Sequence, residues 1–378
     1  FRPEVHPLSS GRLPDAFSAM SSEGAAAPGE RIAVLGGGAF GTAMATHLGT
    51  KGYRVRMWAL ESDVCAAVNG QHENPMFLPG VRLSDNVAAT GLVAEAVEDA
   101  KLILLVIPTP FIAAWVAKHQ ALLPTGVPLV CCSKGIETET LRTPFEILSD
   151  ELPGKYHRML CALSGPSFAR EVALGLPTSV TCASAGAELS AAVQAVLSTR
   201  HFRVYTAADV VGAELCGAVK NVLAIAAGAS DGLQFGANAR AGLIARGLTE
   251  MARLVVRKGG RASTIMGLAG VGDLTLTCTG LLSRNYTVGR QLGEGKGIDT
   301  GASVAEGVKT AVAVHAIAER LGVDMPLCEA VYRVLHEGLD VKAALAELQD
   351  RPLRSEADDV FAAEMDAAGS RGARVEAA

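Results

Sequence analysis

Short apolar runs alternate with glycine-rich turns and helical patterns through roughly the first two hundred residues of the chain. Continuous apolar runs are typical of strands that are buried on both faces of a parallel sheet. Strands are predicted at 31–35, 54–58, 87–90, 102–107, 128–132 and 178–183, with one more leading into the Gly-Pro-Ser turn at 165–167. Strands that alternate with helices predict a sheet with helices on both faces.

The alternation stops at about Asp209, and helical periodicity continues alone from there. Helices are predicted over 210–229, 240–258, 303–321 and 327–337. The two ends of the chain lack periodicity and are rich in small or charged residues, which predicts disorder. The predicted divisions are an N-terminal extension at 1–30, a sheet-containing domain at 31–210, an all-helical domain at 211–350 and a C-terminal tail at 351–378.

A glycine-rich turn follows the first predicted strand. Gly36, Gly38 and Gly41 have the GxGxxG spacing, and a helical pattern runs from Phe40 to Leu48. The first glycine permits a tight turn, the second lets the backbone approach a pyrophosphate, and the third allows close packing of helix on strand. The N–H groups of a helix N-terminus favour phosphate at the same place, although a glycine turn without a ligand is the alternative. The sequence therefore predicts an α/β fold, with a doubly wound Rossmann-type dinucleotide-binding domain followed by an all-helical C-terminal domain.

Three further residues follow predicted strands at their carboxyl ends, where folds of this kind bind ligands. Glu61 lies 20 residues after Gly41, where an acid would hydrogen-bond the ribose 2′-OH of NAD. Its alternative role is that of a surface glutamate at the start of the next helix. Phe111 and Lys134 follow two central strands. We expect Lys134 to face the ligand crevice, the alternative being an ordinary solvated lysine.

The stretch from Gly267 to Asn285 combines glycines and leucines with isolated polar residues. So many glycines would destabilise a core helix, each by about 1 kcal/mol relative to alanine. The composition indicates backbone brought close to a small polar ligand, with Asp273 and the Ser283-Arg284-Asn285 segment directed at it. Arg284 could bind a phosphate bidentately, with Asn285 as a neutral donor beside it. The alternative is a glycine-rich helix connection with one stray ion pair.

Lys220 lies in the almost wholly apolar helical stretch 210–229. A lysine there either extends to solvent or is buried for a purpose. Burial would lower its pKa, which would make the side chain a proton acceptor near neutral pH. An enzyme that oxidises a secondary alcohol with a nicotinamide needs such a base, together with donors for the developing oxyanion. Lys220 is therefore the candidate base.

Composition argues against several other classes of protein and of binding site. The net charge is −5 and the basic residues are dispersed, which argues against a nucleic-acid or membrane surface. No transmembrane segment is predicted, because the longest strongly apolar run, 102–107, is too short to span a bilayer. The eight cysteines form no CxxC pair, so we expect buried free thiols in a reducing compartment. The eight histidines show no ligand spacing, and no metal site is predicted.

Nine motifs in order resemble the NAD(P)-dependent glycerol-3-phosphate dehydrogenase family. They are GGGAFGTA (36–43), NGQHENPMFLPG (69–80), VIPTPF (106–111), SKGIE (133–137), SGPSFAREV (164–172), AVKNVLAIAAG (218–228), GLAGVGDLTLTC (267–278), SRN (283–285) and VAEGVKT (304–310). The resemblance extends over about 31–338, and the GPSFA and SRN forms are similar to the bacterial and plastid-type branch. It implies reversible reduction of dihydroxyacetone phosphate to sn-glycerol 3-phosphate, usually by a homodimer.

The resemblance also implies roles for individual residues. Lys220 would be the catalytic proton acceptor, and Lys134 and Asp273 would assist it and hold the substrate. The implied substrate and phosphate site consists of Lys134, Gly165, Ser167, Thr277, Ser283, Arg284 and Asn285. The implied cofactor contacts are Gly36, Gly38, Ala39, Phe40, Gly41, Leu60, Glu61, Phe111, Lys134, Ala169, Arg284, Val304 and Glu306.

One departure from the family pattern concerns the cofactor. The bacterial-type sequence after the second strand is typically Trp-Ala-Arg, whose arginine can bind an NADP 2′-phosphate, whereas this chain has Trp58-Ala59-Leu60. We therefore predict NAD as the cofactor, with NADH preferred over NADPH. The competing predictions are a dehydrogenase of another small hydroxy acid or phosphorylated polyol, and a non-catalytic dinucleotide sensor. The predicted compartment is the cytoplasm or a plastid stroma, with residues 1–30 as a possible targeting remnant.

Overall fold

The computed structural model describes residues 29–297 and 305–353. The expectations for nearly all of the N-terminal extension, for Val304 and for nearly all of the C-terminal tail lie outside these ranges.

One mixed sheet forms the centre of the N-terminal half. Its strand order is β3-β2-β1-β4-β5-β6-β7-β8, and all neighbours are parallel except β6 and β7. The order reverses beside β1, so a crevice opens above the carboxyl ends of β1 and β4. The strands are β1 Arg31–Leu35, β2 Arg54–Trp58, β3 Val87–Thr90, β4 Leu102–Leu105, β5 Leu129–Cys131, β6 Leu160–Ser164, β7 Thr178–Ala183 and β8 Phe202–Ala207.

Helices cover both faces of this sheet. On β1, Ile32 and Val34 pack into one apolar cluster, whereas Ala33 and Leu35 pack into the cluster on the opposite face. This explains why the strand is continuously apolar. The helices of this half are α1 Ala39–Thr50, α2 Ser62–Gln71, α3 Val93–Val97, α4 Ile112–His119, α5 Pro144–Glu151, α6 Ala169–Ala173 and α7 Ala187–Leu197.

The second half is helical and is built around the helix α8. Its described elements are α8 Val210–Gly232, α9 Gly236–Arg257, a π-helical turn Leu268–Gly272, α10 Asp273–Cys278, α11 Arg284–Gly293, α12 Glu306–Leu321, α13 Pro326–His336 and α14 Val341–Gln349. By length and composition α8 could cross a membrane, but 89% of its most apolar stretch is buried inside the protein. It is the core helix of this half, and it is a longer apolar segment than 102–107.

Most of the predicted strands agree with the structure, and the differences are local. The bounds of β1, β2, β3 and β7 are those predicted. The strand predicted at 102–107 ends at Leu105, because the chain turns toward a short 3₁₀ helix at Thr109–Phe111. Helix α2 continues to Gln71, into the 69–80 motif, and ends at His72 in the left-handed conformation. The strand β8 and the helix α14 were not predicted.

The glycines of the Gly267–Asn285 stretch were expected to destabilise a core helix and to bring backbone close to a ligand. Most of the stretch is helical, and its glycines allow elements to pack closely. A Cβ on Gly270 would lie 2.1 Å from the carbonyl oxygen of Ile265. A Cβ on Gly289, in the following helix, would lie 1.9 Å from the carbonyl oxygen of Ile225 in α8. Because glycine lacks the Cβ, helices carrying it can approach more closely than propensity alone suggests.

Candidate active site

A cluster of two lysines and one carboxylate lies between the sheet and the helical half. The Nζ atom of Lys220 donates to Asp273 Oδ1 over 2.5 Å and to Thr277 Oγ1 over 3.0 Å. The Nζ atom of Lys134 donates to the other carboxylate oxygen, Asp273 Oδ2, over 2.7 Å and to the carbonyl oxygen of Gly165 over 3.1 Å. Asp273 is 1% exposed and Lys220 is 7% exposed. One buried carboxylate therefore aligns two ammonium groups from different halves of the protein.

The lysines reach this point by different routes. Lys134 follows β5 at the carboxyl edge of the sheet, and its stem lies beside Gly217 of α8. A Cβ on Gly217 would be 3.4 Å from Lys134 Cγ. Lys220 lies one turn further along α8, whose start is capped by Asp209. The same Asp209 carboxylate accepts from the backbone N–H of Arg261 over 2.8 Å, which ties α8 to the segment leading to Asp273.

Burial changes the acidity of Lys220. Loss of hydration lowers the pKa of its ammonium group from 10.5 to about 8, because the charged form is disfavoured away from water. The Asp273 carboxylate opposes this change, and the positive charge of Lys134 adds to it. A pKa of about 8 lets Lys220 both donate and accept a proton near neutral pH. The burial and the direction of the pKa change agree with the expectation from the apolar helix.

The Ser283-Arg284-Asn285 segment forms the start of α11. Ser283 caps this helix by accepting from the N–H of Tyr286 over 3.2 Å. The Arg284 side chain is 61% exposed, with its Nη2 atom 3.9 Å from Glu306 Oε1. Asn285 is buried and joins two helices: its Nδ2 donates to Asn221 Oδ1 over 2.9 Å and its Oδ1 accepts from the N–H of Gly307 over 2.8 Å.

These contacts separate two roles within the segment. Arg284 presents a cation to solvent next to a helix N-terminus, where anions are favoured. Asn285 was expected beside the phosphate as a neutral donor, yet its amide links α8 to the start of α12. Glu306, the first residue of α12, is close enough for its charge to raise the pKa of Lys220. The segment therefore connects to the lysine cluster through Asn221 and Glu306.

The glycine-rich turn has the shape that a dinucleotide requires. Gly36 has φ +133°, and a Cβ there would lie 2.4 Å from the carbonyl oxygen of Val106. A Cβ on Gly41 would lie 1.9 Å from the carbonyl oxygen of Gly36, whereas a Cβ on Gly38 would meet nothing within 4 Å. Helix α1 has no side-chain cap and no acidic residue in its first turn. The first turn of α1 thus has no side-chain cap, the space beside Gly38 is open, and the residues present fit a pyrophosphate.

The other predicted cofactor residues lie around the carboxyl edge of the sheet. Ala39 and Phe40 open α1, Phe111 is exposed after β4, and Ala169 opens α6. Leu60 is 80% exposed after β2, and Glu61 precedes α2 as its N-terminal flanking residue. Ser167 Oγ donates to the carbonyl oxygen of Gly165 over 3.0 Å, which places it beside the Lys134 contact. Within residues 29–297 and 305–353, no group of three His, Cys, Asp or Glu residues is arranged to hold a metal ion.

Two buried asparagines contribute to the site without having been assigned a role from sequence. Asn221 follows Lys220 directly and accepts from Asn285. Asn74 is 0% exposed and contacts the glycine-rich turn. The available signal for Asn221 was a second polar residue beside Lys220 in an apolar helix. Asn74 belongs to a motif that carried the family resemblance, but nothing in its spacing indicated which backbone group it would contact.

A glycine-rich turn that fits a phosphate, at the edge of a doubly wound sheet, and a buried lysine with a pKa of about 8 together define the class of protein. The protein is a nicotinamide-dependent dehydrogenase with a sheet-containing half and a helical half.

Comparison with known proteins gives the family. The family models described as NAD-dependent glycerol-3-phosphate dehydrogenase N-terminus and C-terminus match residues 31–190 and 209–346, respectively. A glycerol-3-phosphate dehydrogenase (NAD(P)+) of Nitratidesulfovibrio vulgaris is 51% identical over 330 residues, covering 86% of this chain and 100% of that relative. Its counterpart from Myxococcus xanthus is 48% identical over 330 residues, covering 86% of this chain and 98% of that relative.

Comparison with solved structures indicates the same family. Glycerol-3-phosphate dehydrogenase from Coxiella burnetii has a TM-score of 0.80 at 39% identity and covers 86% of this chain and 100% of that chain. The enzyme from Saccharomyces cerevisiae has a TM-score of 0.73 at 29% identity, with the same coverage of 86% and 100%. This chain belongs to the NAD-dependent glycerol-3-phosphate dehydrogenase family. The family resemblance and the fold class predicted from the sequence are confirmed.

Proposed function

We propose that this chain interconverts dihydroxyacetone phosphate and sn-glycerol 3-phosphate, with Lys220 transferring the proton. The observation that carries the proposal is the buried Lys220–Asp273 contact of 2.5 Å, in a chain that belongs to this family. A bound nicotinamide dinucleotide supplies the hydride for reduction and accepts it in oxidation. The residues of the chain bind and orient the substrate and move the proton.

Lys220 is suited to both directions of the reaction. In reduction its ammonium group donates a proton to the substrate oxygen as the ketone becomes an alcohol. In oxidation its neutral amine accepts the hydroxyl proton. Asp273 and Thr277 fix the position of the Nζ atom, so the proton is presented from one direction. Lys134 adds a second positive charge at the same carboxylate, where it can stabilise a developing oxyanion.

The substrate phosphate is assigned to Arg284 and the start of α11. The guanidinium group is exposed, and its planar fork can bind two phosphate oxygens at once. Helix α11 adds its N-terminal dipole in the same place. Lys220 then reaches the reacting oxygen, while the phosphate remains at the edge of the site. This arrangement favours a phosphorylated substrate over an uncharged polyol.

We further propose that NADH is preferred over NADPH. The side chain after β2 that faces solvent is Leu60, an apolar residue, and Glu61 follows it. The 2′-phosphate of NADPH would add nearly two negative charges beside Glu61 without a cation at position 60. Arg56 lies on β2 itself, two residues before its carboxyl end, and we judge it too distant to replace an arginine at that position.

Two surface features support a homodimer, and the state of the cysteines supports a reducing compartment. A groove of about 730 Å³ between α8, α9, α13 and α14 is lined mainly by apolar side chains. The first half of α9 is largely exposed although it is rich in alanine, and a second copy would cover this surface. Sedimentation velocity tests this assignment. All eight cysteines are free thiols and seven are buried, and the similar proteins named above from N. vulgaris and M. xanthus favour the cytoplasm over a plastid.

The deciding experiment is an assay of nicotinamide oxidation with dihydroxyacetone phosphate, run with NADH and NADPH in parallel. Unphosphorylated dihydroxyacetone and a small 2-keto acid serve as competing substrates. We expect the highest kcat/KM with dihydroxyacetone phosphate and NADH, and sn-glycerol 3-phosphate as the product. A higher kcat/KM with the keto acid would identify a hydroxy-acid dehydrogenase. Binding of NADH without turnover of any substrate would identify a dinucleotide sensor.

A further inference from the structure

Asn74 lies beneath the glycine-rich turn and is completely buried. Its Nδ2 atom donates to the carbonyl oxygen of Gly37 over 2.8 Å and to Thr42 Oγ1 over 2.8 Å. The Thr42 hydroxyl donates to the same Gly37 oxygen over 3.2 Å. Two side chains from outside the turn therefore converge on one carbonyl of the turn.

The orientation of the Asn74 amide is fixed by its own loop. Its Oδ1 atom accepts from the N–H of Phe77 over 3.1 Å, and its backbone carbonyl accepts from the N–H of Leu78 over 2.9 Å. A backbone N–H can only donate, so the oxygen of the amide must face Phe77 and the nitrogen must face Gly37. The loop is in turn held by Arg170, whose Nη1 donates to the carbonyl oxygen of Pro79 over 2.8 Å.

The contact at Gly37 determines where the next N–H points. In a trans peptide the C=O of one residue and the N–H of the next lie on opposite sides. With the Gly37 carbonyl held toward Asn74, the N–H of Gly38 is directed away from it. A Cβ built on Gly38 would have no other atom within 4 Å, so the space beside this residue is open. The N–H is therefore presented on the side from which a phosphate can approach.

Such a restraint is needed because Gly36, Gly37 and Gly38 are consecutive glycines. Glycine populates both halves of φ space readily, so the Gly37–Gly38 peptide could rotate and present its carbonyl oxygen instead. An oxygen in that position would repel a phosphate, whereas the N–H attracts it. A larger residue at position 37 could not restrict this rotation instead, since its Cβ would lie 2.6 Å from Ala59 Cβ.

We propose that Asn74 is a positioning residue that locks the Gly37–Gly38 peptide with its N–H toward the pyrophosphate of the dinucleotide. The proposal rests on the dinucleotide binding proposed above and extends it to a residue of the 69–80 motif. It concerns the affinity for the phosphates of the cofactor. The proton transfer by Lys220 and the binding of the three-carbon substrate do not depend on it.

The test is the near-isosteric substitution Asn74→Asp, which places an oxygen where the amide donates to Gly37. We expect the dissociation constant for NADH, measured by fluorescence titration, to rise at least about 10-fold, as for loss of a buried hydrogen bond. The constant for competitive inhibition by ADP should rise in the same proportion, whereas that for adenosine should not change. At saturating NADH, kcat and the KM for the three-carbon substrate should stay near those of the wild type.

Asn69 provides a matched control within the same motif. Its side-chain Nδ2 donates to the carbonyl oxygen of Ala89 in β3 over 2.9 Å, and its Oδ1 accepts from the N–H of Ala89 over 2.8 Å, away from the glycine-rich turn. Asn69→Asp should therefore leave the NADH dissociation constant unchanged. Thr42→Val removes the weaker donor to Gly37 and should raise the constant by about threefold. It also serves as the test if Asn74→Asp fails to fold.

Three results would overturn the proposal. They are an NADH dissociation constant for Asn74→Asp within twofold of wild type, equal weakening of ADP and adenosine, and the same loss in Asn69→Asp. For Thr42→Val alone, unchanged binding of NADH has the same meaning. If the wild-type protein fails to bind NADH, the proposed function itself is wrong, which separates the two failures.

Discussion

The two sides of the candidate active site are built in different ways. The cofactor side is formed by backbone, in which the glycines of one short segment, Gly36 to Gly41, allow close packing and leave open space at Gly38. The reacting side is formed by side chains from distant parts of the chain, with Lys134, Lys220 and Asp273 meeting at one carboxylate. The first is specified by local sequence and the second by the packing of helices.

This difference predicts which measurement each change should affect. Substitutions among the charged side chains should alter rates and pH dependence, because those groups move the proton and hold the substrate. Substitutions around the glycine-rich turn should alter affinity for the dinucleotide. A variant that changes both quantities strongly would show that the two sides are coupled.

The largest effect is expected from Lys220→Ala, which removes the group that transfers the proton. Turnover should fall at least about 100-fold, the contribution typical of a general acid or base. The dissociation constant for NADH should change little, because Lys220 belongs to α8 and not to the glycine-rich turn. Steady-state kinetics and fluorescence titration measure the two quantities separately. Near-normal turnover would exclude Lys220 from this role.

Arg284→Ala should have the next largest effect, on substrate affinity. Loss of a charge-assisted contact costs roughly 1.5–3 kcal/mol, so the KM for dihydroxyacetone phosphate should rise by about 10-fold or more. Arg290→Ala is the matched control, because Arg290 lies on the same helix and pairs with Glu294 over 2.8 Å. Selectivity for dihydroxyacetone phosphate over dihydroxyacetone should fall only in Arg284→Ala. Equal selectivity in both variants would show that the substrate phosphate does not bind to Arg284.

A smaller change is expected from Asp273→Asn, in the pH profile. In the wild type, reduction needs the ammonium form of Lys220 and should decline above pH of about 8, whereas oxidation should increase up to that pH. The Asp273 carboxylate raises the pKa of Lys220, so its neutralisation should move both profiles to lower pH, by about one unit or more. Profiles of kcat/KM in both directions measure this. A profile that stays in place or moves upward would contradict the assignment.

The contrast between the two sides also explains what the sequence could predict. Strand bounds and the glycine-rich turn follow from local patterns, and β1, β2 and β3 have the predicted bounds. Lys220 was recognisable because burying an ammonium group is unfavourable unless it is paired, so a lysine in an apolar helix indicates a specific role. Its partners were not derivable from spacing, since Lys134 and Asp273 reach it from 86 and 53 residues away in the sequence.

Errors arose where packing overrides local preference. The glycines of 267–285 were expected to destabilise a core helix, but much of this stretch is helical, and a Cβ on Gly270 would collide with Ile265. Helix propensity describes an isolated helix and contains no term for a close neighbour. The contacts of Asn285 could not be derived from the sequence for the same reason, because its partners Asn221 and Gly307 belong to other helices.

The smallest effect is expected from Leu60→Arg, which tests the specificity of the cofactor side by adding a side-chain charge. Leu60 is 80% exposed, so water screens the new cation, and exposed ion pairs contribute only about 0.2–1 kcal/mol. The ratio of kcat/KM for NADPH to that for NADH should therefore rise by no more than about fivefold. Leu122→Arg adds the same charge at an exposed residue after α4 and should leave the ratio unchanged. A wild-type enzyme with equal or higher efficiency for NADPH would refute the proposed preference, and Leu60→Arg would then have little further effect. A rise confined to Leu60→Arg would show that a backbone-built site obtains its selectivity between the two dinucleotides from a single side chain at the end of β2.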